Sequence, residues 1–566
     1  MRRPLLRTGA MFAAALLATT AVPALADTLV ENINGISVDR EGEVTRFRAM
    51  VIGDDGKIVR LLGRRDKAPE RVDYRQDGRG RTVIPGLIDG HLHLMGLGLA
   101  QLTLDLSDTD SLQQALDKLA AYAAANPDQP WLIGRGWNQE RWNLGRFPTA
   151  AELDAVVPDR PVWLARADGH AGWGNSLALA AAGVTAESVD PSGGRIERLA
   201  GGHAPAGVLV DAATALVDSK VPPPRPSDRD LALYEAQRVL LRGGVTAVAD
   251  MGTSVEDWMT FRRAGDSGRL DIRVMAYAAN VDAMVLIGGP APTVWLYDDK
   301  LRLNGIKLFL DGALGSRGAL LNAPYADDPD NRGLPLLDGT QLRNLMSRAA
   351  MDEFQVAIHA IGDRANKEAL DAIAELSRDY PGDRRWRIEH AQVVDLADIT
   401  RFGQNGTIAS MQPQHQPSDR TMAEARLGPD RLAGAYAWRS ILEAGGPLAF
   451  GSDAPVEQPL PFQGIAAAIS RTGPDGQPFG GWQPQEAISR EQALAAYTAG
   501  AAYAGFAERR FGQLAEGLRA DFVVIDRDPL MASPEELRQV RVLETWINGR
   551  KVFGAEEPAA PDGPGR

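Results

Sequence analysis

The chain has 566 residues, 44% hydrophobic and 24% charged, which is enough for a large soluble core and more than one domain. A formal charge of −13 makes it a poor ligand for nucleic acid or an anionic membrane surface. Cysteine is absent, so disulfides and thiolate chemistry are excluded and any metal must be held by nitrogen and oxygen.

Residues 1–26 read as a signal peptide, with a basic start, a short apolar run and the small-x-small ending Ala24-Leu25-Ala26. The run falls short of the ~20 residues that a membrane span needs. Arg2-Arg3, followed by Pro-Leu-Leu-Arg, is similar to a twin-arginine export signal, although paired arginines also occur in ordinary basic leaders. Cleavage before Asp27 removes three arginines and no acids. The expected product is a periplasmic or secreted protein with no stable membrane insertion.

Residues 27–82 read as short strands. The apolar runs around Gly53-Asp54-Asp55-Gly56 are a hairpin signal. Residues 509–554 return to this character, with "ADFVVIDRDP" and then "VLETWINGRKVFG" around an Asn548-Gly549 turn. Both ends are therefore expected to build one small β-domain, and residues 555–566 a disordered tail.

Between them, residues 83–508 alternate strands and helices. The candidate strands are "VIPGLIDGHLH", "GVTAVADMG", "DIRVMAYAA", "GIKLFLDG", "FQVAIHA", "RWRIEHA", "TIASMQP" and "LAFGSDAP". Eight buried parallel strands with helices between them predict an α/β fold, a (β/α)8 TIM barrel. Roughly 150 residues separate the first two strands, too many for a plain connection, which predicts an inserted subdomain over about 105–225. The Pro-rich "KVPPPRPSD" near its end reads as a linker.

His91 and His93 stand at i, i+2 on the first strand and so share a face. Lys307 lies within a buried strand, and His359, His390 and Asp453 end three others. Polar residues at the C-terminal ends of barrel strands mark an active site. Singly, each has an ordinary reading: Lys307 as an ion-pair partner of Asp311, His359 as a core histidine, His390 as a helix cap, Asp453 as a turn residue before Pro455. Together, in this order, they point to a metal centre.

The ordered set "PGLIDGHLH", "GIKLFLDG", "AIHA", "IEHA" and "GSDAP" resembles the metal-dependent amidohydrolase superfamily. The segments "GRGWNQERW", "FPTAAELDAVVPDRPVWLARADGH" and "KLFLDGALGSRGALL" resemble its branch of family 3 type, which includes N-substituted formamide deformylase. The resemblance implies a (β/α)8 barrel with a small split β-sandwich domain formed by both termini, and two divalent metals, Zn2+ by ligand type. His91, His93 and Asp453 would hold one, and His359 and His390 the other. Lys307 would bridge them after carboxylation by carbon dioxide, with a mononuclear site and an unmodified lysine as the alternative. It also implies hydrolysis by a metal-activated hydroxide, with Asp453 as the catalytic proton shuttle.

Trp137, His170, Arg317 and His415 are expected to contact substrate, with Trp137 and Trp142 covering the barrel mouth and favouring an apolar group. His203 reads as a loop residue. The function expected is cleavage of a C–N bond in a small N-acyl or N-formyl amide. A cyclic-amide, carbamate or ester hydrolase with the same metal centre is the alternative, and a non-catalytic periplasmic binding protein the more distant one. The expected partner is a small-molecule substrate; self-association into a homo-oligomer is left open.

Overall fold

The computed structural model describes residues 27–554; the predicted signal peptide and the C-terminal tail lie outside the described residues. Eight parallel strands form the central sheet in sequential order: β1 (Leu87–Leu92), β2 (Val245–Thr253), β3 (Arg273–Ala278), β4 (Leu301–Phe309), β5 (Gln355–Ala360), β6 (Arg387–His390), β7 (Ile408–Met411) and β8 (Leu448–Phe450). Almost every residue in them is buried, as expected of parallel strands covered on both faces. At the seam the backbone N–H of Asp453 donates to His91 O (2.7 Å), and that of His93 donates to Ala454 O (2.8 Å). The chain after β8 is thereby stitched to the end of β1, and the sheet is a nearly closed barrel.

The outer helices obey the same burial logic. In Asp363–Asp379, Ala365, Ala369, Leu370, Ala372, Ile373 and Leu376 form one apolar stripe facing the barrel. Helix Val255–Asp266 starts at a Ser254/Asp257 capping box, which satisfies backbone N–H groups that the first turn leaves free. Among the described residues no helix is long and apolar enough to cross a membrane.

Between β1 and β2 the chain builds a six-stranded mixed sheet from Leu104–Asp105, Leu132–Trp137, Val162–Arg166, Ala171–Gly174, Gly194–Arg198 and Pro205–Asp211. Its core overturns the expectation for two tryptophans. Trp137 is fully buried and Trp142 nearly so, and both pack edge-on against Trp173. The Trp137 indole N–H donates to Leu164 O (2.7 Å), and that of Trp142 to Thr109 O (3.2 Å). Neither covers the barrel mouth. Trp137 lies on a strand, where alternate side chains face opposite ways, so its neighbours Gly136 and Asn138 reach the cavity instead.

The two ends of the chain meet in a pair of sheets. One holds Ile58–Leu62, Ala49–Ile52, Thr28–Glu31 and Tyr74–Asp77. The other joins Asn34–Val38 and Thr82–Pro85 from the N-terminal side to Phe522–Ile525 and Val542–Ile547 from the C-terminal side. Phe522–Ile525 runs antiparallel to Thr82–Pro85, and Phe522 stacks on Trp546 (5.1 Å) over a core that includes Val30, Met50 and Val83.

Candidate metal centre

His91 on β1 is fully buried, and its Nδ1 lies 2.6 Å from Glu389 Oε2 on β6. Arg387, two residues before Glu389 and on the same face, clasps that carboxylate through Nε and Nη2. The ring is thereby oriented so that Nε2 stands 3.4 Å from Asp453 Oδ1 and 3.4 Å from Lys307 Nζ. His93 Nε2 approaches the same Asp453 oxygen at 3.3 Å. Donor atoms of His91, His93 and Asp453 all lie within 4.8 Å of one another.

A second group with the same spacing comprises His390, His415 and Asp453. His390 Nδ1 pairs with Gln412 Oε1 at 2.9 Å. His415 Nε2 lies 3.4 Å from Asp453 Oδ2, and its Nδ1 3.6 Å from Glu457 Oε1. The His359 ring sits 4.6 Å from that of His390, with Nε2 3.6 Å from Asp311 Oδ1. Asp311 is not the partner of Lys307; it accepts backbone N–H groups of Leu320, Ile361 and Gly362 and so fixes the loops after β4 and β5. His390 and Asp453 have φ of 75° and 58°, a region costly for residues other than glycine and typical of functional sites.

The electrostatics suit a cation. Burial lowers His91, and holds His359 and His390 well below the usual histidine range, so they are neutral, the form that ligates metal. Burial lowers Lys307 to about 8, which enlarges the fraction of neutral amine near neutral pH. Burial alone would raise Asp453, but His415, His91 and His93 outweigh it and hold the carboxyl well below its ordinary range. Burial would likewise lower His415, yet Asp453 and Glu457 raise it to about 10, so it is an ion-pair partner of Asp453 as well as a geometric candidate for the metal. Asp453 Oδ1 is buried and has no hydrogen-bond partner. An orphaned anionic oxygen facing two imidazole nitrogens is a cost unless a cation sits between them. The residues fit a divalent metal.

Above this floor lies a cavity of about 680 Å³. The barrel contributes His359, His390, His415, Asp419, Asp453 and Glu457 to its wall, and the insertion contributes Asn138, Arg166, Asp168 and His170. Among the described residues no phenylalanine, tyrosine or tryptophan lines it. His170 Nδ1 pairs with Asp211 Oδ1 (2.8 Å), and its ring is 5.1 Å from that of His359. Arg317 departs from expectation: Leu314 and Gly315 of its loop reach the cavity, but its own guanidinium is turned away and bound to Asp327 (2.9 Å). His203 is exposed on a loop.

Sequence reasoning missed Arg387, Glu389, Asp211, Asp419 and Glu457. Arg387 and Glu389 carried a usable signal, since two charges at i, i+2 within a buried strand must find partners. Asp419 had a weaker one, four residues after His415 on the face that helix His415–Leu427 turns to the cavity. Asp211 carried none.

A family model described as an amidohydrolase family matches residues 76–553. Protein LONG AFTER FAR-RED 3 of Arabidopsis thaliana is 37% identical over 495 residues, which is 84% of this chain and 82% of that protein. N-substituted formamide deformylase of Arthrobacter pascens is 27% identical over 541 residues, 92% of this chain and 97% of its own. The crystal structure of an uncharacterized metal-dependent hydrolase from Pyrococcus horikoshii matches with a TM-score of 0.71 and 25% identity, covering 90% of this chain and 99% of that one.

Proposed function

The chain belongs to the amidohydrolase family, as a metal-dependent hydrolase of amide-type bonds, and from that premise we propose that it cleaves the C–N bond of a small N-acyl or N-formyl amide. The observation that carries this reading is the Asp453 carboxylate, shared between two groups of imidazoles at the floor of the cavity, with one oxygen left without a donor. The similarity to a protein named for formamide deformylation supports the choice of bond.

In this reading His91, His93 and Asp453 hold one divalent cation, zinc by ligand type. Lys307, as the carbamate formed when its neutral amine adds carbon dioxide and loses a proton, would hold a second together with His359 and His390. Bound there, such cations polarise a carbonyl and lower the pKa of water toward ~7. Glu389 keeps His91 in one ring orientation. Asp453 accepts the proton of the attacking water and delivers it to the leaving nitrogen. The His415 imidazole, 3.4 Å from Asp453 Oδ2, keeps that carboxylate turned toward the cavity.

The lining argues for a substrate with polar and aliphatic groups rather than an aryl one, because Arg166, Asp168, Asp419 and Glu457, with Leu314, Ile361 and Met422, stand where an aromatic wall was expected. Export to the periplasm or medium, directed by residues 1–26, is part of the same proposal.

The test is a substrate screen of the metal-loaded protein on N-formyl amides, N-acyl amides, cyclic amides, carbamates and esters, with metal content measured in parallel. N-formyl or N-acyl amides with polar and aliphatic groups should give the highest kcat/KM. Turnover confined to esters, carbamates or cyclic amides would overturn the reading.

A further inference from the structure

Two glycines after β4, Gly312 and Gly318 in "LDGALGSRG", take no part in the chemistry above. The loop they belong to folds back on itself, with the Gly312 N–H donating to Gly318 O at 3.2 Å. Into the notch left by their missing side chains comes the carboxylate of Asp211, at the end of strand Pro205–Asp211 of the insertion. A β-carbon on Gly312 would stand 2.5 Å from Asp211 Oδ2, and one on Gly318 would overlap the same oxygen. The barrel loop is built to admit this one acid.

Asp211 itself is held at a cost. Its φ of 50° with ψ of −126° is strained for a residue with a side chain. Its side chain is fully buried, and Oδ2 has no hydrogen-bond partner. Buried, strained and half-satisfied acids are poor stabilisers. What Asp211 does make is a pair of bonds to one residue: its backbone N–H donates to His170 O (2.9 Å), and its Oδ1 pairs with His170 Nδ1 (2.8 Å). With Nδ1 engaged, the opposite edge of the His170 ring is the one free for the cavity, beside His359.

We propose that Asp211 is a positioning residue of the site, seated in the Gly312–Gly318 notch to fix the His170 ring so that Nε2 meets the amide group of the substrate. The notch ties the insertion to the barrel at the point where the insertion reaches the reaction. Substrate contact by His170 rests on the proposed hydrolysis; the orientation of its ring does not.

Two measurements test this on the full-length, metal-loaded protein. In ring-15N NMR, with His170 assigned by the signal missing from His170→Gln, Asp211→Ala should shift the His170 Nδ1 resonance and leave the signals of His91 and His390 in place. In kinetics, Asp211→Ala should lower kcat about 10–100-fold at constant metal content. The same change in a His170→Ala background should cause no further loss. Should Asp211→Ala not fold, Asp211→Asn carries both arms: its amide oxygen still accepts from Nδ1, so the shift and the loss should be smaller and again vanish without His170. An unmoved His170 resonance, or an equal loss with and without His170, would overturn the proposal. A wild-type protein that turns over no amide would count against the function reading alone, and the NMR arm would still decide this one.

Discussion

Asp453 meets both imidazole groups, and its backbone N–H is bonded to His91 O, so its place is set by the main chain rather than by its charge. Asp453→Asn should therefore fold normally while turnover drops ~10²-fold or more, because an amide cannot carry the proton. A melting curve and kcat measured together check this, and near-normal turnover would assign the shuttle elsewhere. Glu389 acts at one remove. Its bond to His91 Nδ1 joins residues 298 positions apart, and Arg387 holds it well within the ionised range despite full burial. Glu389→Gln should weaken metal binding by ~10–100-fold, read by competition with a chelator, with His91→Ala as the reference for complete loss. Candidate ligands were legible in the chain because each lies in, or at the end of, a recognisable strand. Their orienting partners were not, since a hydrogen bond between β1 and β6 leaves no local pattern.

Among the elements, the insertion departs furthest from a reading by residue type. Its tryptophans flank polar residues in the chain, which suggested a lid, yet Trp137, Trp142 and Trp173 form the core beneath their own sheet. Trp137→Ala should cost about 3–5 kcal/mol of local stability, the range for an aromatic removed from a packed interior. The check is a thermal melt beside KM values for aryl and short-chain amides. The melt should fall and both KM values should rise alike, since Gly136 and Asn138 move with the strand. A selective loss of aryl substrates would restore the lid. The eight barrel strands, by contrast, were all visible beforehand, because burial on both faces writes a continuous apolar run into each.

At the scale of the molecule, the barrel and the β-sheets at its ends are joined by Arg273 at the start of β3. Its guanidinium donates to both Asp521 oxygens (2.5 and 2.8 Å), to Asn548 Oδ1 (2.6 Å) and to the carbonyls of Asp298 and Asp299, all with negligible exposure of the ion pair. Asp521 and Asn548 flank strands of the terminal sheets, and Asp298 and Asp299 belong to the loop entering β4. Arg273→Ala would strand the Asp521 charge, a loss of about 3–5 kcal/mol. Urea unfolding followed by tryptophan fluorescence should show a lower midpoint and an early transition as the terminal sheets come away. An unchanged midpoint would mean that apolar packing alone holds the joint.

The sequence by itself determined the barrel, the inserted subdomain, the pairing of the two β-rich ends and the set of histidines, lysine and aspartate brought to one end of the sheet. These follow from local rules: continuous apolar runs along strands buried on both faces, turn residues between them, and the cost of a buried charge without a reason. Only the tertiary structure decided which side chains of the insertion face the reaction. Trp137 went to the core and Arg317 to Asp327, while Asp211, silent in the chain, reached His170 through a notch of two glycines. The facing of each residue depends on its packing against another segment, for Asp211 a barrel loop about a hundred residues further on, and no local pattern in the chain records it.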